Sequence, residues 1–184
     1  MSNQHPMMSR EDLILYILNR LEPGKSDKIR LNKLAFFTEF AYLTKFDRDL
    51  SSAKYAAIDN GPVIDDYDKI LKAMEKNGLV TVDGYIIRPL KSPSTEILED
   101  TRAFVDKIID KYSKLTNNEL ITLSHATDSY KITTNNEREM GKIIDKKLAS
   151  LETFLADGDD SDQSNEDELL KVNRSRLIRY ATSR

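Results

Sequence analysis

One segment of the sequence, residues 29–46, constrains the fold more than any other. Its apolar side chains recur at the helical period, and further apolar side chains occupy the positions between them. Together they are Leu31, Leu34, Ala35, Phe36, Phe37, Phe40, Ala41, Tyr42 and Leu43. A helix that is apolar around much of its surface is stable only when other elements cover it on several sides. The segment therefore predicts a central helix around which the rest of the domain packs.

Other helices are predicted from their start and stop signals. Ser9 with Asp12 resembles a capping box, and Thr116 with Glu119 repeats the pattern before a short apolar segment. Besides the central helix, helices are therefore predicted from Ser9 to Pro23-Gly24 and over residues 64–77, 92–115, 117–123 and 134–154.

A smaller part of the chain favours β-structure. Residues 54–58 predict a short strand, and Asp83-Gly84 between two β-branched runs predicts a β-hairpin. Residues 124–134, which read SHATDSYKITT, are predicted to be irregular. The expected fold class is therefore α+β and mainly α-helical: a compact helical domain with a short strand and a β-hairpin.

Composition changes sharply after Ala156. Residues 157–168 include seven acidic side chains and no large apolar one, which is typical of a disordered linker. Residues 171–184 contain five basic residues and no acidic one. We therefore predict a domain over residues 1–156, an acidic linker over 157–170 and a basic tail over 171–184.

The composition also excludes several classes of protein. The chain has no cysteine and two histidines, which excludes disulfides, thiol nucleophiles and a histidine-rich metal site. With a net charge of −3, nucleic acid could bind only through the C-terminal tail. Because no apolar run approaches the roughly 18 residues that span a bilayer, we expect a cytoplasmic protein without membrane contacts.

Two sets of polar residues resemble catalytic or metal sites only superficially. Ser124, His125 and Asp128 are the residue types of a hydrolase triad, yet no G-x-S-x-G turn surrounds a serine. A histidine that hydrogen-bonds within its loop is the favoured interpretation. Asp65 and Asp66 would point about 100° apart on a helix and are more typical of a helix start than of a metal site. We therefore expect no catalytic residue, metal or cofactor.

The order of elements also invites comparison with a winged-helix DNA reader. The helix that would enter the major groove carries four acidic residues against three lysines, which is the wrong sign for contact with phosphates. The aromatic stripe on the central helix is likewise more typical of a core. Because Phe36, Phe37 and Phe40 wrap more than one helical face, some apolar surface could remain for a partner.

Residues 59–67, which read DNGPVIDDY, predict a rigid loop between a strand and a helix. Gly61 permits unusual backbone angles, and Pro62 fixes one dihedral and restricts its neighbour. Together with the central helix, this loop resembles the Panacea-domain family, on the residues Lys33, Leu34, Phe37, Ala57, Gly61, Pro62, Val63 and Tyr67. The later element LSHATDSY is similar to another family motif, so that the resemblance covers about residues 28–132. Family members commonly carry tryptophan where this chain has Ile58 and Tyr130.

The resemblance implies an antitoxin that neutralises a cognate protein toxin by direct binding, without catalysis. Two alternatives remain open: a proteolytic adaptor that delivers the toxin to a protease, and an autoregulator that binds DNA through its basic tail. The side chains expected to contact the partner are Phe36, Phe37, Phe40, Asn60, Gly61, Pro62, Tyr67 and Tyr130.

Overall fold

A computed structural model of the chain describes residues 7–152. The predicted linker and tail, and Phe154 of the last predicted helix, lie outside these residues. The helices are α1 (Arg10–Arg20), α2 (Lys28–Phe46), α3 (Tyr67–Lys76), α4 (Glu99–Ser113), α5 (Asn117–Ala126), α6 (Asp128–Thr133) and a 3-10 helix (Lys146–Leu151). The strands are β1 (Tyr55–Ile58), β2 (Gly61–Ile64), β3 (Val80–Asp83), β4 (Ile86–Pro89) and β5 (Lys142–Ile143). The predicted fold class, mainly helical α+β, is confirmed.

Helix α2 is the centre of the domain, as its sequence predicts. Every residue from Arg30 to Tyr42 is buried, and the helix contacts α1, α4, α5, β2 and the 3-10 helix. The Asp27 side chain accepts a hydrogen bond from the Arg30 amide and so caps the start of the helix. Inside the core, Phe37 stacks on Tyr112 with ring centroids 4.6 Å apart. Burial of this apolar surface is the main force that holds the other helices around α2.

A three-stranded antiparallel sheet in the order β2-β1-β5 packs on α2. Strands β1 and β2 form a hairpin whose two-residue turn is Asp59-Asn60, with Ile58 opposite Gly61. The prediction of a loop after β1 was therefore wrong, because Gly61–Ile64 forms a strand. Proline is tolerated there because β2 lies at an edge of the sheet, where a missing N–H need not break a ladder. A second hairpin, β3 and β4, confirms the predicted hairpin, although its two-residue turn is Gly84-Tyr85 and Asp83 ends β3 opposite Ile86.

The starts of two helices were predicted too early. Helix α3 begins at Tyr67. Asp66 precedes it with φ +58° and no side-chain capping bond, so Asp65 and Asp66 both lie before the first turn of the helix. Helix α4 begins at Glu99, because the backbone and hydroxyl groups of Ser94 and Thr95 instead donate hydrogen bonds to the buried Asp12 carboxylate. That carboxylate therefore joins the segment before α4 to α1.

The region after α5 also differs from its prediction. Residues 124–134 are not irregular: α5 continues to Ala126 and α6 follows at once. The helix predicted over residues 134–154 is absent from its described part, which instead forms β5 and the 3-10 helix. Asn135, Asn136 and Glu137 have φ values of 49°, 54° and 68°, a left-handed run that a right-handed helix cannot contain. Within residues 7–152, no helix has the length and apolar character that crossing a bilayer requires.

Candidate functional site

Side chains from α2 stabilise the outer edge of β2. The ammonium group of Lys33 donates a hydrogen bond to the Pro62 carbonyl at 2.8 Å, and the Ile64 amide donates to Asn32 Oδ1 at 2.8 Å. Both backbone groups point away from β1, whose Tyr55 and Ala57 carbonyls accept hydrogen bonds from the β5 side instead. Asn32 and Lys33 therefore take the place of a further strand beside β2.

Lys33 makes this contact from inside the core. Its side chain is 1% exposed, and burial lowers the pKa of its amine from 10.5 to about 7. A neutral amine still donates to a carbonyl, so the bond to Pro62 persists in either protonation state. The hairpin is thus joined to the central helix by a polar contact that water does not reach.

Gly61 lies where only glycine fits without strain. Its φ is +85°, and a Cβ atom at this position would lie 2.3 Å from Ser124 Oγ and 3.0 Å from Lys33 Nζ. The first distance is shorter than any normal contact, and the positive φ disfavours other residues. The close approach of β2 to α5 therefore depends on the absence of a side chain at position 61.

His125 and Tyr130 complete the contacts around the hairpin. His125 Nδ1 lies 2.7 Å from Glu137 Oε1, and its ring lies 4.7 Å from the ring of Tyr130. The Tyr130 hydroxyl donates to the Ile58 carbonyl at 2.8 Å. Burial, with the nearby charges of Glu137 and Asp59, raises the pKa of Tyr130 to about 12, which keeps this donor protonated at neutral pH. We call Lys33, Gly61, Pro62, Ser124, His125 and Tyr130 the motif cluster.

The motif cluster does not contain a catalytic triad. Ser124 donates its hydroxyl proton to the Ile121 carbonyl at 2.7 Å, and the Asp128 amide donates to the Glu152 carboxylate. His125 pairs with a glutamate, and its Nε2 atom is buried without a hydrogen-bond partner among the described residues. Within the described range, no group of three His, Cys, Asp or Glu side chains could hold a metal ion. The cluster fixes the hairpin in place.

The structure separates the predicted contact residues into core and surface. Phe36, Phe37, Phe40 and Tyr130 are 0% exposed, so a partner cannot touch them in this conformation. The three phenylalanines belong to the core, as the sequence favoured, and they leave no apolar surface of their own for a partner. Gly61 and Pro62 are buried, Tyr67 is half-buried and Asn60 is exposed. Of the predicted set, Asn60 and Tyr67 therefore remain accessible.

Sequence reasoning missed an exposed aromatic residue in the second hairpin. Tyr85, in the turn of this hairpin, is 76% exposed, and the side chain of Lys28 pairs with Asp68, the residue after Tyr67, at 3.2 Å. The Tyr85 carbonyl accepts a hydrogen bond from the Lys28 amide at 2.9 Å, which holds this turn at the start of α2. The sequence did contain a signal for this residue. Tyr85 directly follows the hairpin signal Asp83-Gly84, and turns seldom need an aromatic side chain. We call Tyr67, Tyr85 and Lys28 the tyrosine patch.

Comparison with known proteins identifies the family. The family described as "Antitoxin SocA-like, Panacea domain" matches residues 31–131, which is more than half of the chain. This range begins on α2, includes the first hairpin and ends just after Tyr130, so it contains the whole motif cluster. A search of curated proteins and a search of solved structures each returned no match. The chain belongs to the SocA-like antitoxin family that is defined by the Panacea domain.

Proposed function

We propose that this protein is an antitoxin that binds a cognate protein toxin directly and thereby blocks its activity. Its membership of the SocA-like antitoxin family supports a toxin as the partner. The observation that carries the proposal for this chain is the motif cluster, which joins β2, the strand that follows the exposed Asp59-Asn60 turn, to α2 and α5. A turn fixed in this way loses little conformational entropy when it binds.

The proposed contact surface comprises the exposed Asp59-Asn60 turn, which precedes β2, and the tyrosine patch, whose Tyr67 follows β2. Strand β2 has four residues, so its length is about 14 Å. A standard interface buries about 800 Å² on each partner, an area about 32 Å across if it is circular. Both Asn60 and Tyr67 therefore fit within one interface. Tyrosine is also among the residue types enriched where proteins bind each other.

The proposal requires no chemical step by this chain. Ser124 and His125 resemble a nucleophile and its base. The Ser124 hydroxyl, however, hydrogen-bonds to the Ile121 carbonyl, and the His125 ring pairs with Glu137. The adaptor and autoregulator alternatives both depend on residues 171–184. Deleting residues 157–184 therefore separates them from direct neutralisation, because a sequestering antitoxin would still protect cells after this deletion.

Co-expression with the product of the neighbouring gene tests the proposal. That product alone should stop growth, and growth should return when this chain is expressed with it. Tyr85→Arg should weaken the rescue, since it places a long cation in the tyrosine patch, whereas Lys107→Glu on α4 should leave it intact. A neighbouring product that is harmless alone, or that still kills in the presence of this chain, would exclude the proposal.

A further inference from the structure

Residues 141–152, which we call the strap, cross the domain after α6. Through β5 the strap pairs with β1: the Gly141 amide donates to the Ala57 carbonyl at 2.7 Å, and the Ile144 amide donates to the Tyr55 carbonyl at 2.8 Å. Its 3-10 helix then contacts α2, where the Thr44 hydroxyl donates to the Ala149 carbonyl at 2.7 Å. The strap therefore joins the sheet to the central helix.

Two carboxylates anchor the strap. Lys146 reaches the buried Glu39 on α2, with Nζ 2.9 Å from Oε1, and also donates to the Ser51 carbonyl at 2.8 Å. At the other end, the buried Glu152 carboxylate accepts hydrogen bonds from the amides of Asp128 and Ser129. Burial raises the pKa of both Glu39 and Glu152, because removal from water disfavours the charged carboxylate.

Little apolar surface supports these polar anchors. In the strap, the buried apolar side chains are those of Ile144 and Ala149, whereas Ile143 is 49% exposed and Leu151 is 44% exposed. A buried ion pair contributes little net stability, because desolvation offsets most of the attraction between the charges. Segments with few buried apolar contacts open at a lower free-energy cost than the core. Helix α2, by contrast, is buried at every residue from Arg30 to Tyr42.

We propose that the strap is a conformational device that opens as one unit while the remainder of the described domain stays folded. Opening would release the edge of β1 at Tyr55 and Ala57 and expose Glu39. Strand β1 is also the partner of β2 in the hairpin that displays the Asp59-Asn60 turn. The inference does not depend on the identity of a toxin.

Hydrogen exchange of the full chain under native conditions tests this opening. The amides of Gly141 and Ile144 should exchange at least about tenfold faster than those of Phe36 and Phe37 in α2. Lys146→Met should accelerate the strap amides by about a further tenfold, because it removes from the closed strap the ion pair with Glu39. Lys147→Met is the matched control, since Lys147 is exposed on the same 3-10 helix, and it should change neither set.

A disulfide across the strap gives a second test that does not weaken the fold. Ala56 lies opposite Ile143, between the two backbone hydrogen bonds that join β1 to β5. Such pairs have Cα atoms about 4.5 Å apart, within the range that a disulfide bridges. Because the natural chain has no cysteine, Ala56→Cys with Ile143→Cys introduces the only thiols.

In the oxidised double variant the strap amides should slow to the rates of the α2 amides, and reduction should restore fast exchange. The proposal is overturned if the strap and α2 amides of the unmodified protein exchange at equal rates with equal dependence on denaturant. It is also overturned if oxidation slows both sets equally, because the strap would then open only with global unfolding.

Discussion

The amine of Lys33 lies 2.8 Å from the carbonyl oxygen of Pro62, and this buried contact links the central helix to the edge of the sheet. It joins two parts of the family motif that are 29 residues apart in sequence. The contact explains why a proline can stand in β2 without loss: its carbonyl has a donor, and its nitrogen needs no acceptor. Burial of the Lys33 amine, which lowers its pKa, also makes the stability of the domain depend on pH.

We expect Lys33 to make the protein more stable as the pH rises from 7 to about 9.5. The pKa of its amine is about 7 in the folded protein and 10.5 in the unfolded chain, so the unfolded chain binds more protons in this range. The free energy of unfolding should therefore rise through this group by up to about 1.4 kcal/mol per pH unit. Urea unfolding at several pH values measures this slope.

Lys33→Met should remove this contribution to the slope, because methionine does not titrate. The exposed Lys72→Met variant is the control and should keep the slope of the unmodified protein. If Lys33→Met and the unmodified protein had parallel stability curves between pH 7 and 9.5, the lowered pKa of Lys33 would be wrong.

Gly61→Ala should destabilise the fold by about 2–5 kcal/mol. The new methyl group would lie 2.3 Å from Ser124 Oγ, and the backbone would keep a φ of +85°. Overpacking typically costs about 1–3 kcal/mol, and the left-handed conformation adds about 1–2 kcal/mol. Denaturant titration followed by circular dichroism measures the change.

Gly84→Ala supplies the comparison for this variant. Gly84 has a φ of +60° and no atom within 4 Å of a Cβ placed there, so only backbone strain should appear. Ser124→Ala should rescue part of the loss in Gly61→Ala, since it removes the nearest atom. Equal losses for the two glycine variants, without rescue, would show that the close approach to α5 is unimportant.

Asp12→Ala should cost about 1–3 kcal/mol of stability, because it removes the acceptor for the amides and hydroxyls of Ser94 and Thr95. Glu11→Ala, which removes only a surface contact with Arg10, should change stability by less than about 1 kcal/mol. Urea unfolding of both variants at pH 7 tests this difference. Similar values for the two would show that Asp12 does not anchor the segment before α4.

The parts of the fold that local patterns determine were predictable from the sequence. The apolar period of α2, the capping box at Thr116 and the hairpin signal at Asp83-Gly84 act over a few residues. The structure contains the helix, the capping box and the hairpin, whose turn is Gly84-Tyr85. Strand β2 was not predictable, because its edge is satisfied by side chains about 30 residues earlier in the chain. Local signals at Gly61-Pro62 indicate a loop, whereas pairing with β1 and the contacts from α2 make that segment a strand.

The candidate site was predictable only in part for a related reason. The sequence places Asn60 and Gly61 in a turn, yet it does not show which aromatic side chains are buried in the core. Phe36, Phe37 and Phe40 are buried because helices and the sheet cover α2 on every side, a property of the assembled domain. Tyr85 became a candidate only when the structure showed its side chain exposed in a turn that is held at the start of α2.

Binding of the purified toxin from the neighbouring gene to Asn60→Arg is the most direct test of direct neutralisation through the hairpin turn. Titration calorimetry should give a Kd at least tenfold weaker than for the unmodified protein, which is a loss of about 1.4 kcal/mol. The thermal midpoint should stay unchanged, because Asn60 is exposed, and Lys107→Glu should bind normally. If Asn60→Arg bound the toxin with an unchanged Kd while Lys107→Glu no longer bound it, the proposed surface would be contradicted. If the unmodified protein did not bind the toxin, direct neutralisation itself would be contradicted.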